Sequence, residues 1–305
     1  MNQVGHTIKM ILVATALLVA MTSSAAMGDI FSRESFTLGT TTLPYRCAEV
    51  CHDGNPVALV LYLHGGSSRG NDNEAQLNEA AVGIIYQYLV DHNIAATFIV
   101  PQCPAGGGWT GTLRRVVNEL LKSRVNAGDI DDRRIYVMGG SMGGTGTWCQ
   151  LSYFPDFYAA AMPVAGNPTG MDTASVATTP VYTVMGTADN IMSIDIVEEF
   201  QTEVIAAGGT FILDVETGWT HQNTCEQSYT DARLGWLFSQ IRGSDSTLVG
   251  DVNNDGKVNV SDVTKLINMI LGVVPMSQTR ADVNADGKVN VSDITALINI
   301  ILGIL

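Results

Sequence analysis

Residues 251–272 and 282–303 are 22-residue copies of one another, offset by 31 and differing at four positions. Repetition this close means two copies of one small structural unit. Each copy opens with hard oxygens at alternate positions: Asp251, Asn253 and Asp255 in the first, and Asp282, Asn284 and Asp286 in the second. A glycine follows at position six (Gly256, Gly287), where a chain wrapping an ion must turn sharply. Lys257 and Lys288 at position seven offer backbone carbonyls, and Asn259 and Asn290 at position nine act directly or through water. Asp262 and Asp293 close the loops at position twelve. The pattern predicts two calcium ions, one per loop, and folding that depends on them, because three clustered aspartates repel without a cation. Val263, Leu266, Ile267 and Ile270, matched by Ile294, Leu297, Ile298 and Ile301, form an apolar stripe at helical spacing. The two stripes are expected to pack together.

In tandem these units resemble a type I dockerin, the module that plugs carbohydrate-degrading enzymes into cohesin-bearing scaffolds. The missing entering helix and the aspartate at position twelve separate them from an ordinary EF-hand pair. The resemblance spans 251–305 and implies a cohesin domain as partner and plant cell-wall polysaccharide as substrate. By the same resemblance, loop positions ten and eleven, Val260-Ser261 and Val291-Ser292, help to choose the cohesin. The near-identity of the repeats implies that either one can face it.

The rest of the 305-residue chain has room for one large domain. A net charge of −14 with no basic stripe argues against nucleic-acid binding. At the N-terminus, Lys9 precedes an apolar run from Met10 to Met21, followed by small residues at Ser24, Ala25 and Ala26. That run is too short to span a bilayer, so 1–26 reads as a secretory signal peptide rather than a membrane anchor. The expected location is secreted and extracellular. Export permits disulfides, but five cysteines (Cys47, Cys51, Cys103, Cys149, Cys225) leave at least one unpaired within the chain.

Between 36 and 240, β-rich runs near 57–63, 95–100, 135–138, 159–164, 181–185 and 210–215 alternate with helical stretches near 74–91, 112–126, 142–153, 193–207 and 228–240. Short connections between alternating elements predict an α/β fold, a doubly wound and mainly parallel sheet. A polar, glycine-bounded stretch at 243–250 reads as a linker. The expected organisation is a signal peptide (1–26), a catalytic domain (27–242), the linker, and a small all-α calcium-binding domain (251–305).

Gly139-Gly140-Ser141-Met142-Gly143 fits G-x-S-x-G where a strand turns into a helix, the context in which that motif exposes a nucleophilic serine. An α/β-hydrolase orders its triad as serine, acid, histidine, and His221 is the only histidine downstream of Ser141. Asp189 lies just beyond a strand and a glycine, where a carboxylate can reach that histidine; Asp195 is the alternative. The oxyanion donors are expected at the amides of Met142, directly after the serine, and Gly66, in the turn after an earlier strand. No cofactor is expected for catalysis.

The segments YLHGGSSRGNDNEAQL (62–77), VPQCP (100–104) followed by Trp109, GGSMGGTGTW (139–148) and FPDFYAAAMPVAG (154–166) resemble secreted serine esterases related to feruloyl and acetyl-xylan esterases. Prolyl-oligopeptidase-like and polyhydroxybutyrate depolymerase-like hydrolases belong to the same neighbourhood. The resemblance implies an α/β-hydrolase fold with Ser141, Asp189 and His221 as triad and Gly66 and Met142 as oxyanion hole. It implies removal of feruloyl or acetyl groups; a serine peptidase, a polyester depolymerase and a catalytically weak binding module are the alternatives. Trp109 and Trp219, both in loops, are candidates for the substrate pocket, whereas Trp148 reads as core. Cys149 lies eight residues after Ser141, about 12 Å along a helix, and Cys225 four after His221. This predicts a Cys149–Cys225 disulfide pinning the histidine loop.

Overall fold

The computed structural model describes residues 24–52, 54–243, 249–253, 258–273, 281–284 and 286–304. The contacts divide into two units, one ending at Arg242 and the other running from Gly243.

In the larger unit one eight-stranded sheet runs in the order β1-β2-β4-β3-β5-β6-β7-β8. The central strand β3 (Val57–Leu63) is apolar throughout and buried on both faces, as parallel strands flanked by helices must be. It pairs in parallel with β4 (Ala96–Pro101) and β5 (Ile130–Gly140). The sheet continues in parallel through β6 (Ala160–Val164), β7 (Val181–Gly186) and β8 (Phe211–Glu216). At the other edge the sequence reading missed an antiparallel hairpin, β1 (Ser32–Leu38) and β2 (Thr41–Val50). Its strands mix charged and apolar residues, because half of the hairpin faces solvent and carries no long apolar run.

Side chains alternate across the sheet. Leu59, Leu61 and Leu63 of β3 face one core with α3 (Gly111–Asn126), α4 (Met142–Tyr153) and α6 (Ile194–Ala206). Ala58, Val60 and Tyr62 face the other, with α1 (Ser24–Ile30), α2 (Ala80–Asp91) and α8 (Asp231–Ser239). Three short helices escaped the sequence reading: α1, α5 (Thr173–Val176) and α7 (His221–Gln227). Met27 is buried in the second core, so a cut before it leaves that contact in place; residues 1–23 of the expected signal peptide lie outside the described residues.

In the smaller unit, α9 (Val260–Ile270) and α10 (Val291–Leu302) pack around Val252, Leu266, Met269, Val283 and Leu297. Ile267 and Ile298 depart from the expected stripe: they are 38% and 40% exposed, and Met269 is buried instead. The helices start at loop position ten, capped by Asn259 and Asn290 at position nine, which fixes the buried face.

Candidate functional site

Ser141 sits at the β5–α4 junction with φ 57°, a left-handed backbone that is strained for a side-chain-bearing residue. Packing enforces the turn. A Cβ on Gly143 would overlap the Leu63 carbonyl, and one on Gly139 would lie 2.5 Å from the Gly143 oxygen. The helix therefore presses onto the strand ends, and the serine hydroxyl is thrust above the sheet.

His221 is the first residue of α7, not part of a loop. Thr220 caps the helix in a reciprocal box with Asn223, which fixes the ring's origin. Asp189 stands three residues past β7. Its loop is joined to the histidine segment by backbone bonds from Ala188 to the Trp219 carbonyl (3.0 Å) and from Thr187 to the Glu216 carbonyl (3.0 Å). Gly218 N–H adds a bond to the Thr187 hydroxyl (2.8 Å).

Ser141 Oγ and His221 Nε2 are 2.8 Å apart, and His221 Nδ1 and Asp189 Oδ2 are 2.8 Å apart. The Asp189 side chain is wholly buried, and its Oδ1 accepts from the amides of Ile191 (2.8 Å) and Met192 (3.0 Å). Three of the carboxylate's lone pairs thus have fixed partners, which sets its orientation toward the imidazole. The alternative acid, Asp195, is exposed in the first turn of α6.

The serine opens onto a cleft of about 650 Å³, lined among others by Gly65, Gly66, Glu79, Ile191, Gln222 and Glu226. Gly66 begins a 3-10 turn, Gly66–Ser68, and Met142 begins α4. The first amides of a helix have no partner within it, so both are available to a ligand. Glu79 was not singled out by the sequence, nor were Gln222 and Glu226. No motif marks them, since they reach the cleft through the packing of α2 and α7.

His64, at the end of β3, is fully buried and belongs to the scaffold. Its Nε2 accepts from the Cys103 amide at 2.9 Å, and Nδ1 donates to the Gly65 carbonyl at 2.6 Å. Burial pushes its pKa down to about 4, with the Gly65 carbonyl opposing.

Three expectations need correction. Trp109 is 1% exposed; its Nε1 donates to the His64 carbonyl at 2.9 Å and its ring packs edge-on to His64. It braces the turn from beneath rather than lining a pocket. Trp219 is absent from the described lining of the cleft and packs into the second core. Its carbonyl accepts from the Ala188 amide at 3.0 Å, tying the His221 segment to the Asp189 loop.

Cys149 and Cys225 are both free thiols. Because His221 and Cys225 are one helical turn apart, Cys225 stacks beside the imidazole, with Sγ 4.0 Å from Nε2. Cys149 lies two turns further along α4, beside Arg114 on the opposite side of the sheet. Burial, then Glu79, Asp189 and Glu226, pushes the Cys225 thiol up to about 12, so it stays protonated next to the serine.

In the smaller unit, Asp262 and Asp293 are fully buried. Asp262 accepts from the Asn253 and Asn259 amides (2.9 Å each), and Asp293 from those of Asn284 (3.2 Å) and Asn290 (2.8 Å). Asp282 accepts from the Asp286 and Gly287 amides, and Asp286 from that of Lys288. The all-oxygen donor set suits calcium rather than a thiolate- or imidazole-seeking metal. Among the described residues no three His, Cys, Asp or Glu side chains converge on one point. Asp255 and Lys257, expected in the first loop, lie outside the described residues, as does most of the expected linker.

Among the described residues no helix is long and apolar enough to cross a membrane.

Residues 109–234 match the dienelactone hydrolase family and residues 249–302 the dockerin type I domain. Dipeptidyl aminopeptidase BIII of Pseudoxanthomonas mexicana is 31% identical over 161 residues, which are 50% of this chain and 23% of that protein. The chain therefore spans about a quarter of this relative. A thermostable esterase superposes with a TM-score of 0.64 at 24% identity, over 70% of this chain and 64% of that one. A putative dienelactone hydrolase from Klebsiella pneumoniae subsp. pneumoniae gives 0.52 at 18% identity, over 69% and 98%. At these identities the likeness shows the fold. With the β1-to-β8 sheet and the serine elbow, it shows an α/β-hydrolase fold, in which 109–234 match the dienelactone hydrolase family, followed by the dockerin type I match at 249–302.

Proposed function

We propose that this hydrolase is a secreted serine esterase. It removes feruloyl or acetyl groups from plant cell-wall polysaccharide and is held on a cohesin-bearing scaffold by its dockerin. The observation that carries the reading is the continuous Asp189–His221–Ser141 hydrogen-bond chain opening onto the cleft.

In this reading His221 Nε2 takes the proton as Ser141 Oγ attacks the acyl carbon, and then gives it to the departing sugar hydroxyl. Asp189 holds Nδ1–H and stabilises the imidazolium. The amides of Gly66 and Met142 bind the tetrahedral oxyanion. Water, activated by the same histidine, releases the acid. The dockerin holds two calcium ions through Asp251, Asn253, Asp255, Lys257, Asn259 and Asp262, and through Asp282, Asn284, Asp286, Lys288, Asn290 and Asp293. Bound calcium supplies cross-linking charge that keeps each loop closed. Val260 and Val291, 70% and 67% exposed at equivalent places, offer two similar apolar contact points for a cohesin.

The test is serine-dependent release of ferulate or acetate from acylated arabinoxylan by the calcium-loaded protein, with Ser141→Ala as control. Release of neither acid above the control overturns the substrate reading. A peptidase is the second reading, favoured by the likeness to dipeptidyl aminopeptidase BIII. Cleavage of dipeptidyl amides but not of esters would establish it.

A further inference from the structure

We propose that Glu79 is a positioning residue for the oxyanion turn, acting through the hydrogen bonds that fix Gly66. The inference rests on the reading of Ser141 as nucleophile. Glu79 immediately precedes α2, fourteen residues beyond Gly65, and its carboxylate faces the Ser141 cleft. Oε1 accepts from the Gly65 amide and from the Ser68 hydroxyl, both at 2.8 Å. These two donors bracket Gly66, so one oxygen holds both ends of the turn that carries the expected oxyanion donor. Oε2 accepts from the Tyr62 hydroxyl at 2.9 Å. Burial and the neighbouring Glu79 push that hydroxyl well above its usual range, so it stays a donor and anchors the carboxylate to β3.

Besides Glu79, His64 Nδ1 holds the Gly65 carbonyl at 2.6 Å and Gln102 Nε2 reaches the Ser68 carbonyl at 3.5 Å, but neither binds the Gly65 amide or the Ser68 hydroxyl. The turn's own backbone bond, from Ser68 to Gly65, is long at 3.4 Å. Gly65 must also lie close to the nucleophile, since a Cβ there would stand 3.8 Å from that of Ser141. On the far side of Gly66 the Arg69 guanidinium comes within 3.4 Å of where a Cβ would be. Glu79 and Arg69 therefore flank the donor, and loss of Glu79 releases the Gly65 amide and the Ser68 hydroxyl together, which lets the Gly66 amide shift relative to the serine.

The experiment compares Glu79→Ala, Glu79→Gln and Ser68→Ala with the wild type in the full, calcium-loaded chain. It measures kcat and KM on a p-nitrophenyl ester and hydrogen exchange of the 66–68 amides. Removing an oxyanion donor costs about 10²–10³ in turnover. Displacing one is expected to lower kcat about 10- to 100-fold in Glu79→Ala, with KM within about threefold. Gln keeps the acceptor facing Gly65 and Ser68, and the Tyr62 hydroxyl can rotate to accept from its amide. Glu79→Gln should therefore restore most of the lost turnover and the slow exchange. Ser68→Ala removes one bond and should fall between, which keeps the test decisive if Glu79→Ala does not fold. The proposal is overturned by unchanged kcat and exchange in Glu79→Ala, by a loss confined to KM, or by a Gln variant as impaired as Ala. If the wild type shows no Ser141-dependent hydrolysis, the esterase reading falls, and exchange alone decides whether Glu79 holds the turn.

Discussion

Asp189 and His221 meet at 2.8 Å because two loops, one after β7 and one after β8, are joined by backbone bonds before either side chain is placed. The pairing is a property of the frame. Changing either side chain should therefore alter chemistry more than folding. Asp189→Asn is expected to lower kcat by about 10³–10⁴, and Ser141→Ala to abolish covalent turnover, with melting temperatures within a few degrees. Steady-state kinetics beside calorimetry checks this; an Asn variant with near-normal kcat would remove Asp189 from the triad.

His64 links stability to pH. Its pKa is about 4 in the folded protein against an ordinary 6.5, so at intermediate pH the unfolded chain binds the proton more readily. The contribution of the neutral ring is fully present above pH 6.5 and is lost as pH falls through about 4. The loss is on the order of 3 kcal/mol. Urea unfolding as a function of pH should show a shallower dependence across this window in His64→Gln than in the wild type. Equal slopes would contradict the assignment.

With no bridge between Cys149 and Cys225, reductant should leave the melting temperature unchanged. Alkylation in denaturant without prior reduction should label both cysteines. A peptide containing Cys149 joined to Cys225 would contradict the structure.

Calcium removal should act on the smaller unit. A chelator is expected to lower or abolish the melting transition of 249–304 while leaving hydrolysis of a small ester within about twofold. Calorimetry with and without chelator separates the two transitions. Asp293→Ala strips acceptors from the Asn284 and Asn290 amides and should destabilise that unit by about 2 kcal/mol or more. Loss of ester hydrolysis on chelation would show that calcium also supports the hydrolase domain.

The fold was legible wherever burial was two-sided. Val57–Leu63 reads as a strand because every position is apolar, and the structure places it at the sheet centre. The β1–β2 hairpin was not legible, since its pattern mixes buried and exposed positions with charged side chains among them. The first residue of α7 looked like a loop because Thr220 and Asn223 cap a helix of only seven residues. That error led to the wrong disulfide: on a helix, Cys225 returns to His221 instead of extending down α4. Trp109 was misplaced because a loop tryptophan can turn inward to satisfy a carbonyl, as it does at His64.

The sequence alone determined the local chemistry. The 31-residue offset and oxygen spacing mark the candidate calcium loops, the glycines around Ser141 mark the elbow, and the placing of the histidines leaves His221 as the only downstream candidate base. These are legible because each depends on residues near one another in the chain or on simple order. Only the tertiary structure decided what surrounds the serine. Glu79, Gln222, Cys225 and Glu226 reach it because α2 and α7 pack against the same end of the sheet. Trp109 is kept away because its indole satisfies a carbonyl beneath the turn. Such placements arise from contacts between distant segments, and no short motif encodes them.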